Sequence, residues 1–216
     1  PTRVWLDYVL RQTLQITAEL SSETANLIYD QIAERLTQDA FRPRALFESF
    51  NIETLATTDS ALDDLCHHAA ISASGWTGRV LPTFRPDGVL DPSDPNFQTN
   101  LQELEKITGI ALDSYAGYLE ALRVRRAFFI QMGATATDHA IEAIHTEWLY
   151  DPDAIYQRLK QGRGSPDDAR RFYGHMLIEM AQVNTLIESP DGTIYAGTDL
   201  GVYSYDDASG WSIYGD

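Results

Sequence analysis

Residues 52–59 read IETLATTD, residues 79–87 read RVLPTFRPD, and residues 133–140 read GATATDHA. Each holds a short run of apolar and β-branched residues that closes on charged ones. The runs 52–58, 79–84 and 134–137 predict buried strands, ending at Asp59, at Arg85-Pro86-Asp87 and at Asp138-His139. Helical spacing fills the gaps. A helix over 61–74 takes Asp59 or Ser60 as its cap. Two more span 100–107 and 113–132, the longer carrying Tyr115, Tyr118, Leu119, Leu122 and Phe129 on a repeating face, with Gly133 ending it.

Outward from this centre the pattern stays helical. Residues 1–16 place Val4, Leu6, Val9, Leu10 and Leu14 on one face. Ser22 caps a second helix with Ile28, Ile32 and Leu36 on one side, and Pro43 opens a short third one. Beyond the last strand, helices cover 152–161 and 166–182, the latter with Ser165 as N-cap and Pro166 in the first turn. Strands alternating with helices are the grammar of a parallel sheet with crossover helices. In such sheets chemistry collects at the carboxyl ends of strands, which makes Asp59, Arg85 and Asp138 a candidate constellation. The same residue types also terminate strands and cap helices for structural reasons alone.

Composition narrows the function. The 216 residues carry 32 Asp+Glu against 16 Lys+Arg, a net charge of -16. That balance argues against binding a nucleic-acid backbone, which needs clustered bases. No apolar stretch approaches the ~18 residues of a membrane span. The opening PTRVWLDYVL lacks a secretory pattern, and the single Cys66 excludes an internal disulfide or a multi-cysteine zinc site. A cytoplasmic location is the expectation. Past Val183 the composition changes: no Lys or Arg occurs from Phe172 to Asp216, and turn residues recur between short β-type runs at 193–196, 202–205 and 211–214. This predicts a domain of 1–183 followed by an antiparallel meander over 184–216.

The segments ALFESFNIETLATTDSALDDLCHH (45–68), GRVLPTFRPD (78–87) and YAGYLEALRVRRAFFIQMGATATDHA (115–140) together resemble uronate (glucuronate) isomerases, of the amidohydrolase superfamily. The resemblance covers residues 1 to about 183. It implies an α/β fold, a partial (β/α)8 TIM-barrel-type fragment, since a complete barrel takes about 250 residues. It also implies an aldose–ketose isomerisation of D-glucuronate to D-fructuronate and D-galacturonate to D-tagaturonate in hexuronate catabolism. Such enzymes hold a divalent, zinc-type metal through a His-x-His pair and an Asp on the terminal barrel strands. No His-x-His occurs in this chain, so no metal ligand is assigned and the chain alone is expected to be inactive. The tail SPDGTIYAGTDLGVYSYD (189–206) resembles a β-propeller blade of bacterial sensor proteins, which makes a non-catalytic carbohydrate-binding or sensor-type module the alternative.

The expected partner is a small hexuronate, with self-association into a homo-oligomer where strand edges and apolar helix faces lack neighbours. Arg85 suits the substrate carboxylate, because a guanidinium binds it through two parallel charge-assisted hydrogen bonds; its alternative is to neutralise Asp87. Asp138 is a candidate for catalysis or substrate contact, and His139 for acid–base work. Alternation along a strand sends these two neighbours to opposite faces. Asp59 is a substrate-binding candidate or a helix cap. His67-His68 reads as one packed and one solvated side chain, His145 and His175 as surface or packing residues. Arg123, Arg125 and Arg126 read as a solvated face with snorkelling stems.

Overall fold

A computed structural model describes residues 2–140 and 145–180 in full and, beyond them, the backbone of 183–188, 194–198, 201–206 and 210–213. The chain divides into two compact units, one comprising 1–55 with 77–79, the other 56–76 with 80–216.

The first unit is helical. Helix α1 (Thr2–Tyr8) runs into a π-helical turn over Val9–Thr13 and is followed by α2 (Ala25–Leu36) and α3 (Pro43–Ser49). Leu10, Ile16 and Ile28 form a small core, with Leu14 and Ile32 packed against it. Ser22 does not cap α2: the cap position is Thr24, without a side-chain cap bond, and the Ser21 hydroxyl closes the turn ahead of it by accepting from the N–H groups of Glu23 and Thr24. Leu36, expected on the buried side, is exposed. Pro43 does occupy the first turn of α3, where its missing N–H costs nothing.

Three predicted strands become a broken parallel ladder. The first segment forms β1 (Thr54–Ala56) and β2 (Asp59–Ser60). After α4 (Cys66–Ala73), the second forms β3 (Arg79–Leu81) and β4 (Phe84–Arg85). Pro82 has no N–H to give, which accounts for the interruption of the second segment. Even so, the main chain keeps parallel register: the N–H groups of Thr57, Asp59 and Ala61 donate to the carbonyls of Leu81, Thr83 and Arg85. β2 and β4 pair in parallel, Asp59 with Phe84 and Ser60 with Arg85. The third segment contributes only a parallel bridge, Phe84 to Thr137. Phe84 N–H donates to Ala136 and Asp138 N–H donates to Phe84. Phe84 is therefore the central rung, and Arg85 and Asp138 follow it side by side.

The remaining helices are α5 (Asp87–Leu90), α6 (Phe97–Thr108), α7 (Tyr115–Gln131), α8 (Pro152–Lys160) and α9 (Pro166–Met180). α5, a single turn, was not expected from the sequence, and α6 starts ahead of residue 100. α4 starts later than the expected 61, because the Asp63 and Asp64 carboxylates capture the N–H groups of Leu65 and Cys66 in local turns. These bonds compete with helix and place Leu65 in the left-handed region, φ 54°. Asp59 caps nothing.

The core of this unit lies among the helices and the ladder. Phe84 meets Phe129 edge-to-face at 5.0 Å, and Tyr118 stacks on Tyr156 at 5.0 Å. Both tyrosines are fully buried, with their hydroxyls donating to the carbonyls of Val89 and Leu112, so the polar end of each ring is satisfied. Arg125 departs from the expected solvated face. It is 8% exposed, donates to the carbonyls of Ala61 and Asp63, and lies over the Phe128 ring. Among the described residues no helix is long and apolar enough to cross a membrane.

The last described strands, β5 (Val183–Glu188), β6 (Ile194–Thr198), β7 (Gly201–Asp206) and β8 (Gly210–Ile213), form one antiparallel sheet in sequence order. The meander thus has an additional first strand over 183–188, where no strand was expected. Of the turns that the sequence predicts between these runs, 190–192 and the middle of 206–210 lie outside the described residues.

Candidate functional site

Arg85 and Asp138, adjacent across the ladder, pair directly: Arg85 Nη2 donates to Asp138 Oδ2. Both side chains are about a third exposed, at 36% and 37%, so the pair stands at the edge of the core and not within it. The same guanidinium reaches back along its own segment, with Nε 3.7 Å from Asp87 Oδ2. Nε itself is buried and makes no hydrogen bond among the described residues. Arg85 therefore faces two carboxylates at once, Asp138 and Asp87.

His139 joins the same cluster through Asp87. Its Nδ1 is 3.1 Å from Asp87 Oδ1, while Ala140 N–H donates to Oδ2 at 2.8 Å. The Tyr173 hydroxyl donates to Oδ1 from α9 at 3.1 Å. Burial works to raise the Asp87 carboxyl, but the hydrogen bonds from His139, Ala140 and Tyr173 outweigh it and hold the group below the usual carboxylate range. Burial, reinforced by the Asp87 charge, pushes the Tyr173 phenol well above its ordinary value. Tyr173 is thus a neutral donor. The expected divergence of Asp138 and His139 does not separate them, because pairing stops at Thr137 and the chain leaves the ladder. Asp87, which sits where β4 turns into α5, then gathers His139 into one chain of contacts, Asp138–Arg85–Asp87–His139.

Asp59 belongs to a different arrangement. Its Oδ2 accepts from Thr57 Oγ1 at 2.6 Å and from Thr83 N–H at 3.3 Å. Thr57 Oγ1 is also 2.8 Å from His68 Nε2, and His68 Nε2 is 3.8 Å from Asp59. Since Thr57 gives its proton to the carboxylate, His68 donates to Thr57 through Nε2–H. His68 is the packed member of the histidine pair and His67 the exposed one. None of the Asp59 contacts is with Arg85, so the three strand-end residues split into two clusters.

Two participants were missed in the sequence, Asp87 as a site residue and Tyr173 altogether. Asp87 carried a signal, because it closes the RPD turn after a predicted strand. Tyr173 carried none, since it is one apolar-face residue on a helix 86 positions away. His145 pairs with Arg170 and Glu147 at the surface, and His175 is buried against Tyr115 and Leu149, as expected for surface and packing roles. Among the described residues, no group of three or more His, Cys, Asp or Glu side chains could hold a metal ion.

The family model for glucuronate isomerase matches residues 1–189. The chain belongs to that family. A uronate isomerase of Rhizorhabdus wittichii is 49% identical over 186 residues, covering 85% of this chain and 40% of the relative. One from Phenylobacterium zucineum is 47% identical over 186 residues, covering 85% and 39%. The crystal structure of glucuronate isomerase from Caulobacter crescentus superposes with a TM-score of 0.78 at 42% identity, over 84% of this chain and 38% of that one. A uronate isomerase structure from Thermotoga maritima, at 23% identity and a TM-score of 0.74, shares the fold over 84% of this chain and 40% of its own. The chain thus spans about two fifths of the length of the curated relatives it matches. These structural neighbours are of α/β barrel type, and the described part is rich in helix with few parallel strands.

Proposed function

We propose that residues 1–183 form the central part of a (β/α)8-type barrel of the amidohydrolase superfamily and carry the carboxylate-binding side of a uronate isomerase site. In this reading the whole protein interconverts D-glucuronate with D-fructuronate, and D-galacturonate with D-tagaturonate, in the cytoplasm. The observation that carries it is the Arg85–Asp138 pair, a guanidinium about a third exposed at the carboxyl end of the parallel ladder.

The chemistry assigns each group a task. A hexuronate carboxylate docks on Arg85, whose planar fork matches two carboxylate oxygens. Docking fixes the sugar at the end remote from the reacting carbons, so that binding energy orients C1 and C2. Isomerisation moves a proton from C2 to C1 through an enediol, with a base at C2 and a proton shuttle between the oxygens. Asp138 and His139 are the bases within this cluster. Asp59, held at Oδ2 by Thr57 and Thr83, offers Oδ1 to a substrate hydroxyl. The divalent metal implied by the family would polarise the carbonyl. The described residues do not supply its donor set.

Titration calorimetry with D-glucuronate, against D-glucose as the uncharged control, tests this reading. Weak binding of the uronate alone, lost in Arg85→Met, is expected; equal binding of both sugars, or of neither, refutes it. With added zinc the chain alone is expected to give no turnover, for want of a His-x-His pair.

A second reading concerns the tail. Four antiparallel strands in sequence order are the make-up of a propeller blade; β6, β7 and β8 lie past residue 189, where the family match ends, while β5 lies within it. In that reading 184–216 is an appended sensor-type module. Deleting it should then leave uronate binding unchanged.

A further inference from the structure

Resting on the uronate reading above, we propose that Asp87 is a positioning residue. Together with Tyr173 and the Ala140 N–H, it holds the His139 ring in the tautomer protonated on Nδ1, leaving Nε2 as an acceptor for a hydroxyl of the hexuronate.

Several donors converge on the Asp87 carboxylate. Asp87 Oδ1 receives Tyr173 O–H and faces His139 Nδ1, both at 3.1 Å, while Oδ2 receives Ala140 N–H at 2.8 Å. An ionised carboxylate has acceptors only. Nδ1 must therefore carry a proton, because a bare nitrogen lone pair at that distance would face an anionic oxygen. Three donors and the nearby Arg85 cation favour the ionised form of Asp87. Tyr173 cannot reverse its role, since its phenol keeps its proton.

The consequence falls on the other ring nitrogen. His139 is 6% exposed, and its Nε2 is buried without a hydrogen-bond partner among the described residues. Buried polar atoms are nearly always paired, so an orphan of this kind marks a place where a partner is expected. With Nδ1–H committed to Asp87, a neutral ring has one free valence, the Nε2 lone pair. The residues come from three places, the β4–α5 turn, the end of the third ladder segment and α9. Loss of Asp87 frees the His139 ring and also removes the carboxylate 3.7 Å from Arg85 Nε, so the tautomer, and not uronate affinity, is the readout specific to His139.

The experiment is a long-range 1H–15N correlation of the histidine rings in the full 216-residue chain, with His139→Gln to assign the signal. The expected result is a single Nδ1–H tautomer for His139, converted in Asp87→Ala to the mixture of a solvated imidazole and retained in Tyr173→Phe. An Nε2–H tautomer in the unaltered chain overturns the proposal, as does an unchanged tautomer in a folded Asp87→Ala. Should Asp87→Ala fail to fold, the spectrum of the unaltered chain decides alone. Addition of D-glucuronate, with D-glucose as control, should shift His139 Nε2, and Asp87→Ala should weaken uronate binding about tenfold, the worth of one hydrogen bond. Asp87→Glu should restore part of it. Uronate binding without movement of Nε2 refutes the acceptor role. An Nδ1–H tautomer with no uronate binding refutes instead the functional reading on which that role rests.

Discussion

Arg85 donates from Nη2 to Oδ2 of Asp138, a residue 53 positions further along the chain. The contact exists because Phe84 bonds to both neighbouring segments, so that residues one step beyond it lie side by side. Ion pairs this open to water contribute about 0–1 kcal/mol to stability. Arg85→Met should therefore shift the urea unfolding midpoint very little. Uronate binding should fall at least about tenfold, since hydrogen bonds to a charged group are each worth about 1.5–3 kcal/mol. A large loss of stability in Arg85→Met would make the residue structural and not a carboxylate clamp.

Arg125 supports the same region from beneath. Its Nε donates to Ala61 and its Nη2 to Asp63, each at 2.7 Å, tying α7 to the loop ahead of α4. Arg125→Met keeps the apolar stem but leaves buried carbonyl oxygen without a donor, at a cost of about 2–4 kcal/mol. Chemical denaturation should show that loss. A change below about 0.5 kcal/mol, typical of surface positions, would contradict the burial.

The start of α9 is held by a reciprocal cap. Ser165 Oγ accepts from Asp168 N–H, and Ser165 N–H donates to Asp168 Oδ2, both at 3.0 Å. This satisfies two otherwise orphaned donors in the manner of a capping box. Ser165→Ala should cost about 1 kcal/mol, read as a lower thermal midpoint with unchanged helix content. Because α9 carries Tyr173, the same variant should also loosen the Asp87 hydrogen bonds, visible as faster amide exchange at Ala140.

His175 gives the fold a pH dependence. Its Nδ1 accepts from Leu149 N–H at 3.2 Å and its Nε2 is 3.0 Å from the Tyr115 hydroxyl, a neutral ring used on both sides. Burial pushes its pKa below the ordinary histidine value. Protons therefore bind the unfolded chain first. The contribution is intact above about pH 6.5 and declines as pH falls, by at most about 1.4 kcal/mol per unit, until the depressed folded value is reached. Urea midpoints at about pH 7.5 and about pH 5.5 should differ in the unaltered chain, and differ less in His175→Gln. Equal slopes in the two proteins would remove His175 as the cause.

Local signals in the sequence translated well where the physics is local. Pro43 opening α3, Ser165 and Pro166 opening α9, and Gly133 following α7 all depend on residues within a turn of one another. Strand segments ending at Asp59, Arg85 and Asp138 were readable from apolar runs closing on charge. Less readable were features set by competition between nearby bonds. Asp63 and Asp64 delay α4, and a turn closed by Ser21 moves the start of α2 past the expected cap at Ser22, because the choice depends on which oxygen geometry favours.

By itself, then, the sequence determined the family, the helix and strand grammar, and the acidic balance that leaves Arg85 as the cation of interest. Those properties follow from residue order and pattern. Only the tertiary structure decided which strand-end residues work together. Register about Phe84 joins Arg85 to Asp138, Thr57 and Thr83 draw Asp59 away towards His68, and α9 brings Tyr173 to Asp87. Each of those contacts links residues far apart in sequence or depends on a side chain's direction, and both are set by packing and hydrogen-bond satisfaction, not by composition or periodicity.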